Sequence, residues 1–185
     1  MKKLLIIAAM AVSTCYAQEK IQLPLKDSAV VYEEVVRLTD TTISSDKLFT
    51  QAQNWFANTF KNSKSVLQVN DRQSSKLIGK GLSLYAHGIN NEPDTYLYYS
   101  IDITVKNGRY RHRIYNIGFT SGTTDWLLDQ SYSHYLHNEI HKMWYESKKQ
   151  GLARYVNEIN FANATALALA TSIKSFMTNI SADNF

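Results

Sequence analysis

The chain has 185 residues, 44% of them hydrophobic, and its 20 Lys and Arg against 16 Asp and Glu give a formal net charge of +4. This length suits one compact domain with a real core, and so small a charge excludes a nucleic-acid binder that depends on electrostatic attraction. The single cysteine, Cys15, excludes an internal disulfide framework.

The first 17 residues have the pattern of a secretory signal peptide. Two lysines precede an uncharged run from residue 4 to residue 16, which is too short to span a bilayer as a helix. Cys15 and Ala17 are small residues at the positions that precede a cut between Ala17 and Gln18. The sequence therefore predicts an exported protein, periplasmic or secreted, with no transmembrane segment after removal of residues 1–17. The alternative is a lipoprotein acylated at Cys15, although Thr14 fits a lipobox poorly.

After a flexible leader, predicted at 18–28, a single domain is expected over 29–185. Its first segment, 29–38, has the two-residue alternation of a half-buried strand. An amphipathic helix follows at 46–60, which Ser44 or Ser45 can cap. Its apolar stripe recurs at steps of three and four residues and consists of Leu48, Ala52, Trp55, Phe56 and Phe60.

Four more segments have the pattern of strands: 65–70, 76–87, 95–106 and 109–119. Asn107-Gly108 predicts a two-residue hairpin turn with positive φ at both positions, and such a turn fixes the register of its two strands. The pairs expected on the core side are Ile101 with Ile114, Ile103 with His112, and Val105 with Tyr110. The pairs expected on the other side are Ser100 with Tyr115, Asp102 with Arg113, and Thr104 with Arg111.

Gly79 and Gly81 flank a lysine and raise the possibility of a phosphate-binding loop. A Walker loop requires a different spacing and a strand-to-helix turn, whereas these glycines lie inside a strand pattern. Because they are two residues apart they share one face, which we assign to the side away from the core, with Ile78 and Leu82 on the core side. Either another group packs closely on the glycines, or the strand bends or bulges there, and of the two we favour the bend.

The face assigned to the glycines also collects tyrosines and arginines from three predicted strands. The candidate contact residues are Tyr85, Tyr96, Tyr98, Arg111, Arg113 and Tyr115, with Ser83, Ser100, Asp102 and Phe119 beside them. Flat aromatic side chains with polar tips, together with arginine, are typical of surfaces that contact sugars, peptides or proteins. The alternative is an ordinary buried layer beneath an inserted segment, with Asp102 and Arg113 as a cross-strand pair.

An inserted helical segment is predicted at about 120–155, with a helix at about 131–145. On that helix His134, His137 and His141 share one arc, and two histidines four residues apart can bind one zinc ion. The glutamate at position 139 is one residue too late for the zincin motif, and a polar helix surface explains the histidines more simply than a metal site does. A metal-dependent hydrolase that uses them is the alternative function.

The chain closes with a second amphipathic helix. Its apolar stripe is suited to lying on a sheet and consists of Ile159, Ala162, Ala166, Leu169, Ile173, Phe176 and Ile180.

The pieces WFANTFKNSKSVLQVND and SKLIGKG, within residues 45–81, resemble an uncharacterised family of secreted Bacteroidota proteins, a domain of unknown function with a TATA-binding-protein-like fold. The resemblance covers roughly residues 29–119, and the closing helix fits the final element. It implies an α+β half-saddle, in which an antiparallel sheet, ordered β-α-β-β-β-β-insert-α, carries two helices on one face. It implies no known activity.

The sequence as a whole favours an exported, non-catalytic binding or interaction domain of unknown ligand. We expect a protein or glycan partner, no cofactor and no nucleic acid, because the analogy with DNA-binding saddles rests on fold alone.

Overall fold

The structure is a computed structural model that describes residues 23–27, 29–90, 92–121 and 152–180. The strands are β1 (Leu25–Lys26), β2 (Ala29–Val30), β3 (Tyr32–Arg37), β4 (Leu67–Asp71), β5 (Lys76–Ala86), β6 (Thr95–Lys106) and β7 (Arg109–Ser121). The helices are α1 (Ser45–Thr59), α2 (Ser63–Val66) and α3 (Leu152–Thr178). None of the helices in these ranges is long and apolar enough to cross a membrane.

One antiparallel sheet of five strands, in the order β3-β7-β6-β5-β4, forms the body of the domain. β1 and β2 form a separate two-stranded hairpin just before it. This hairpin overlaps the leader that we predicted to be flexible, and Leu23 is buried in the core. Residues 23–27 therefore pack with the domain. Leu23 contacts the core, and the Pro24 carbonyl accepts a backbone hydrogen bond from Val31 at 3.0 Å.

Both long helices pack on one side of the sheet, as predicted. Ser44 caps α1 by accepting a hydrogen bond from the amide of Lys47 at 3.2 Å, and the predicted apolar stripe of α1 faces the core. Trp55 joins the two helices, since its indole N–H donates to Ser172 Oγ of α3 at 3.1 Å. We call this side of the sheet the helix face and the opposite side the far face.

The register predicted for the β6–β7 hairpin is confirmed at all six pairs, and Ile103 and Ile114 lie fully buried on the helix face. The predicted turn type is wrong, because within the described chain the positive φ of this turn belongs to Gly108 alone, at 66°. Asn107 instead accepts a hydrogen bond from the amide of Ser45 through its side chain at 2.8 Å. Gly108 donates its N–H to Ile43 at 2.8 Å. Contacts with the start of α1 thus determine the turn.

Gly79 and Gly81 lie on the helix face, which corrects our assignment to the far face. Gly79 pairs with Ile101 and Gly81 with Tyr99, both of which point toward the helices. A Cβ built on Gly79 would lie 2.4 Å from the ring of Phe56. A Cβ built on Gly81 would lie equally close, 2.4 Å, to the ring of Tyr99. Of the two interpretations, close packing therefore accounts for both glycines.

A β-bulge in β7 corrects the placement of Phe119. Ser100 pairs with Tyr115 but Tyr98 pairs with Gly118, so Asn116 and Ile117 together face a single residue of β6. Asn116 has a φ of 50°, in the left-handed region typical of such bulges. The extra residue reverses the alternation, and Phe119 packs against the core rather than on the far face.

Candidate functional site

Five of the six predicted contact residues lie on the far face: Tyr96, Tyr98, Arg111, Arg113 and Tyr115. Tyr85 does not, and this prediction was wrong for the same reason as the glycines of its strand. Its ring makes edge-to-face contacts on the helix face with Phe119 at 5.0 Å and with Phe161 of α3 at 5.2 Å. No short turn joins β5 to β6, so their register was not fixed by the sequence pattern.

The centre of the far face is packed rather than exposed. Tyr98 is 3% exposed and Asp102 is 2% exposed. Tyr98 lies over Gly118, where a Cβ would come within 2.3 Å of a ring carbon, and burial raises the pKa of its hydroxyl to about 12. Asp102 accepts a hydrogen bond from Thr104 Oγ1 at 2.9 Å and lies 3.5 Å from the Lys76 ammonium. Tyr98 and Asp102 are therefore packed side chains, while the inserted segment that the alternative interpretation places over them lies mostly outside the described residues.

Arg113 is held by groups of the protein on both sides. Its Nε lies 2.9 Å from a carboxylate oxygen of Glu33 on β3, in an ion pair without the alignment of a hydrogen bond. Its guanidinium also lies 5.1 Å from the ring centre of Tyr115. Glu33 in turn accepts a hydrogen bond from Lys26 at 2.9 Å, which is the main cause of its lowered pKa, and the charges of Arg113 and Arg111 act in the same direction.

The hairpin end of the far face is different, because it contains an open depression of about 340 Å³. We call it the hairpin pocket, and its lining residues are Val35, Thr104, Lys106, Arg109, Tyr110 and Arg111. Val35 is 56% exposed, and Lys106 and Arg109 are exposed as well. Of the described residues that line the pocket, three are cationic and none is acidic.

The pocket arises where β3 joins the predicted hairpin. β3 pairs with β7 so that Val35 faces Arg111 and Arg37 faces Arg109, which adds a fourth cation at the rim. The sequence prediction included Arg111 but missed Val35, Lys106 and Arg109. The hairpin register could have indicated that Lys106 and Arg109 are paired, whereas the pairing of β3 with β7 joins segments far apart in the chain and had no local signal.

A metal site finds no support among the described residues, which contain no group of three His, Cys, Asp or Glu side chains arranged to hold an ion. The candidate ligands His134, His137 and His141 lie outside the described ranges, and their role stays a prediction. His112 is buried opposite Ile103 on the helix face, which is the core side that the hairpin register predicts for it.

Two comparisons with known proteins, a family model and one solved structure, agree on the fold. The model of a family described as "Domain of unknown function (DUF4468) with TBP-like fold" matches residues 32–120. The crystal structure of a TBP-like protein from Parabacteroides distasonis is similar, with a TM-score of 0.57 and 16% identity over 85% of this chain and 98% of that one. A DUF4468 family protein from Bacteroides ovatus gives a TM-score of 0.48 and 17% identity over 82% of this chain and 90% of that one. A search of curated proteins found no match.

Proposed function

Because residues 32–120 belong to the DUF4468 family of domains with a TBP-like fold, we propose that the chain is an exported, non-catalytic binding domain whose contact surface is the hairpin end of the far face. The fold supports this choice of surface. Both long helices pack on the helix face, so the side chains of β3, β7 and β6 that point to the far face do not contact them. Family and fold by themselves specify no ligand.

One observation carries the proposal: Lys106 and Arg109 of the hairpin pocket are exposed and adjacent, whereas Tyr98 on the same face is packed. Lys106 and Arg109 are direct cross-strand neighbours, and like charges at such positions destabilise a sheet. Val35 places an exposed apolar side chain beside them. Cationic and apolar groups around a depression are the usual composition of a recognition site.

Export is part of the proposal and rests on the leader. The lysine pair, the uncharged run and the small residues before position 18 support cleavage after Ala17. We expect mass spectrometry of the protein from its natural host to give an N-terminus at Gln18 in an extracytoplasmic fraction. An intact Met1, or a lipid on Cys15, would contradict a freely secreted or periplasmic protein.

The contact surface is tested with the double variant Lys106→Ala/Arg109→Ala on an array of glycans and peptides. The matched control is Lys61→Ala/Lys64→Ala, which removes the same charge from exposed positions near α2. We expect the hairpin variant to lose binding at least tenfold and the control to keep it. Because the four side chains are exposed, neither variant should change the free energy of unfolding by more than about 0.5 kcal/mol. Equal binding by both variants would show that the contact surface lies elsewhere.

A further inference from the structure

Two arginines on the same face of β7 have opposite surroundings. Arg113 lies between Glu33 on β3 and Asp102 on β6, so each neighbouring strand supplies it with a carboxylate. Arg111, two residues away, lies between Val35 and Thr104 at the equivalent positions. The sheet thus repeats one arrangement twice, but at the second position neither residue directly opposite the arginine is acidic.

The guanidinium of Arg111 shows the consequence. Its Nε is buried and has no hydrogen-bond partner among the described residues. A buried donor without an acceptor costs stability, the more so when it is charged. The Thr104 hydroxyl donates its hydrogen to Asp102 at 2.9 Å, and although its oxygen can still accept, it accepts no hydrogen bond from the Arg111 Nε. Among the described residues, Arg111 therefore lacks an acceptor at the position where Arg113 has the carboxylate of Glu33.

We infer that the hairpin pocket binds an oxyanion group of a ligand, a phosphate or a carboxylate. This group lies beside Arg111 in the same way that the Glu33 carboxylate lies beside Arg113. Arg111 supplies the fork of N–H donors, which matches two acceptor oxygens, and Lys106 and Arg109 supply long-range attraction. Val35 contacts the apolar part that bears the anion. This inference rests on the proposed function and names the chemistry of its ligand.

The test uses Val35→Glu, which supplies the missing carboxylate from the protein itself. The matched control is Val35→Gln, which has the same length but no charge. Backbone amide shifts of the purified protein are followed by NMR while inorganic phosphate is added in one arm and acetate in another, with chloride holding the ionic strength constant. For the wild type we expect saturable shifts around positions 35 and 104–111.

Val35→Glu should weaken anion binding at least tenfold, and clearly more than Val35→Gln, which removes the apolar side chain without adding a carboxylate. Arg111→Lys should also lose at least tenfold, because an ammonium keeps the charge but not the planar fork. Saturation by phosphate alone assigns a phosphate ligand, and saturation by acetate alone assigns a carboxylate.

The inference is overturned if neither anion gives saturable shifts, or if Val35→Gln loses binding as fully as Val35→Glu. The proposed function survives that result if the wild type binds a partner on the array and the Lys106→Ala/Arg109→Ala variant loses that binding. The proposed function and the inference both fail if neither experiment shows binding at the hairpin pocket.

Discussion

On the helix face of β5, Gly79 and Gly81 leave room for the rings of Phe56 and Tyr99, while on the far face the same strand carries Ile78 and Leu82, and neither of the two long helices that the structure describes packs on that side. At these two positions the apolar volume comes from Phe56 of α1 and Tyr99 of β6, so β5 contributes space rather than volume there. On the far face, the arginines of β7 differ in whether a carboxylate lies beside them, as Glu33 does beside Arg113. Changes on the helix face should therefore act through packing, and changes on the far face through pairing.

The largest effect should come from Gly79→Ala. The new methyl group would meet the Phe56 ring, which is fully buried and also contacts Trp55 and Phe60, so the ring has little space in which to move. We expect the free energy of unfolding in urea to fall by about 1–3 kcal/mol.

A double-mutant cycle checks the cause of that loss. In a Phe56→Leu background the ring is absent, so Gly79→Ala should cost markedly less than in the wild type. Equal costs in the two backgrounds would show that the ring is not the obstacle and that the glycine is required for another reason.

The sequence predicted the elements whose signals are local. The cap at Ser44, the apolar stripes of α1 and α3, and the register of the β6–β7 hairpin all follow from spacing along a short stretch of chain, and the structure confirms them. The backbone geometry of the turn at Asn107 was predicted wrongly. The Asn107 side chain accepts a hydrogen bond from the amide of Ser45, which is far away in the sequence.

The candidate face was only partly predictable for a related reason. Size alone suggested that Ile78 and Leu82 point inward and the glycines outward, but the volume of the core is filled from Phe56 and Tyr99, which lie on other elements. That inversion moved Tyr85 to the wrong side. Val35 could not be placed beside Arg111 without knowing that the first strand of the sheet pairs with the last.

An intermediate effect should separate the two arginines of the far face. Arg113→Ala removes an ion pair with Glu33 and the contact with the Tyr115 ring, so we expect it to lower the free energy of unfolding by about 1 kcal/mol. Arg111→Ala is the matched control on the same strand and should change stability by less than about 0.5 kcal/mol, because no carboxylate pairs with it among the described residues. Similar losses of stability in both variants, measured by urea unfolding, would mean that Arg111 has a partner within the protein. The pocket would then not lack an acceptor for it.

The smallest effect should be a dependence of stability on pH that arises on the helix face. His112 is 1% exposed, and burial lowers the pKa of its imidazole from the usual 6.5. The charge of Glu34 acts in the opposite direction and that of Lys174 in the same direction, and these two side chains form an ion pair with each other at 2.6 Å. In the folded protein the ring therefore stays neutral at a pH where the unfolded chain already binds a proton.

The sign follows from this difference in proton uptake. As the pH falls below about 6.5, the unfolded state gains a proton that the folded state does not, so the free energy of unfolding falls with it. Glu33, whose pKa is lowered from 4.5, affects stability only at more acid pH, so a series from about pH 7.5 to about pH 5.5 isolates histidine. The control is His112→Leu, which keeps every other histidine of the chain. We expect urea unfolding to show a steeper loss of stability toward acid pH in the wild type than in this variant. A wild type that gains stability as the pH falls would show instead that Glu34 holds the ring in its charged form.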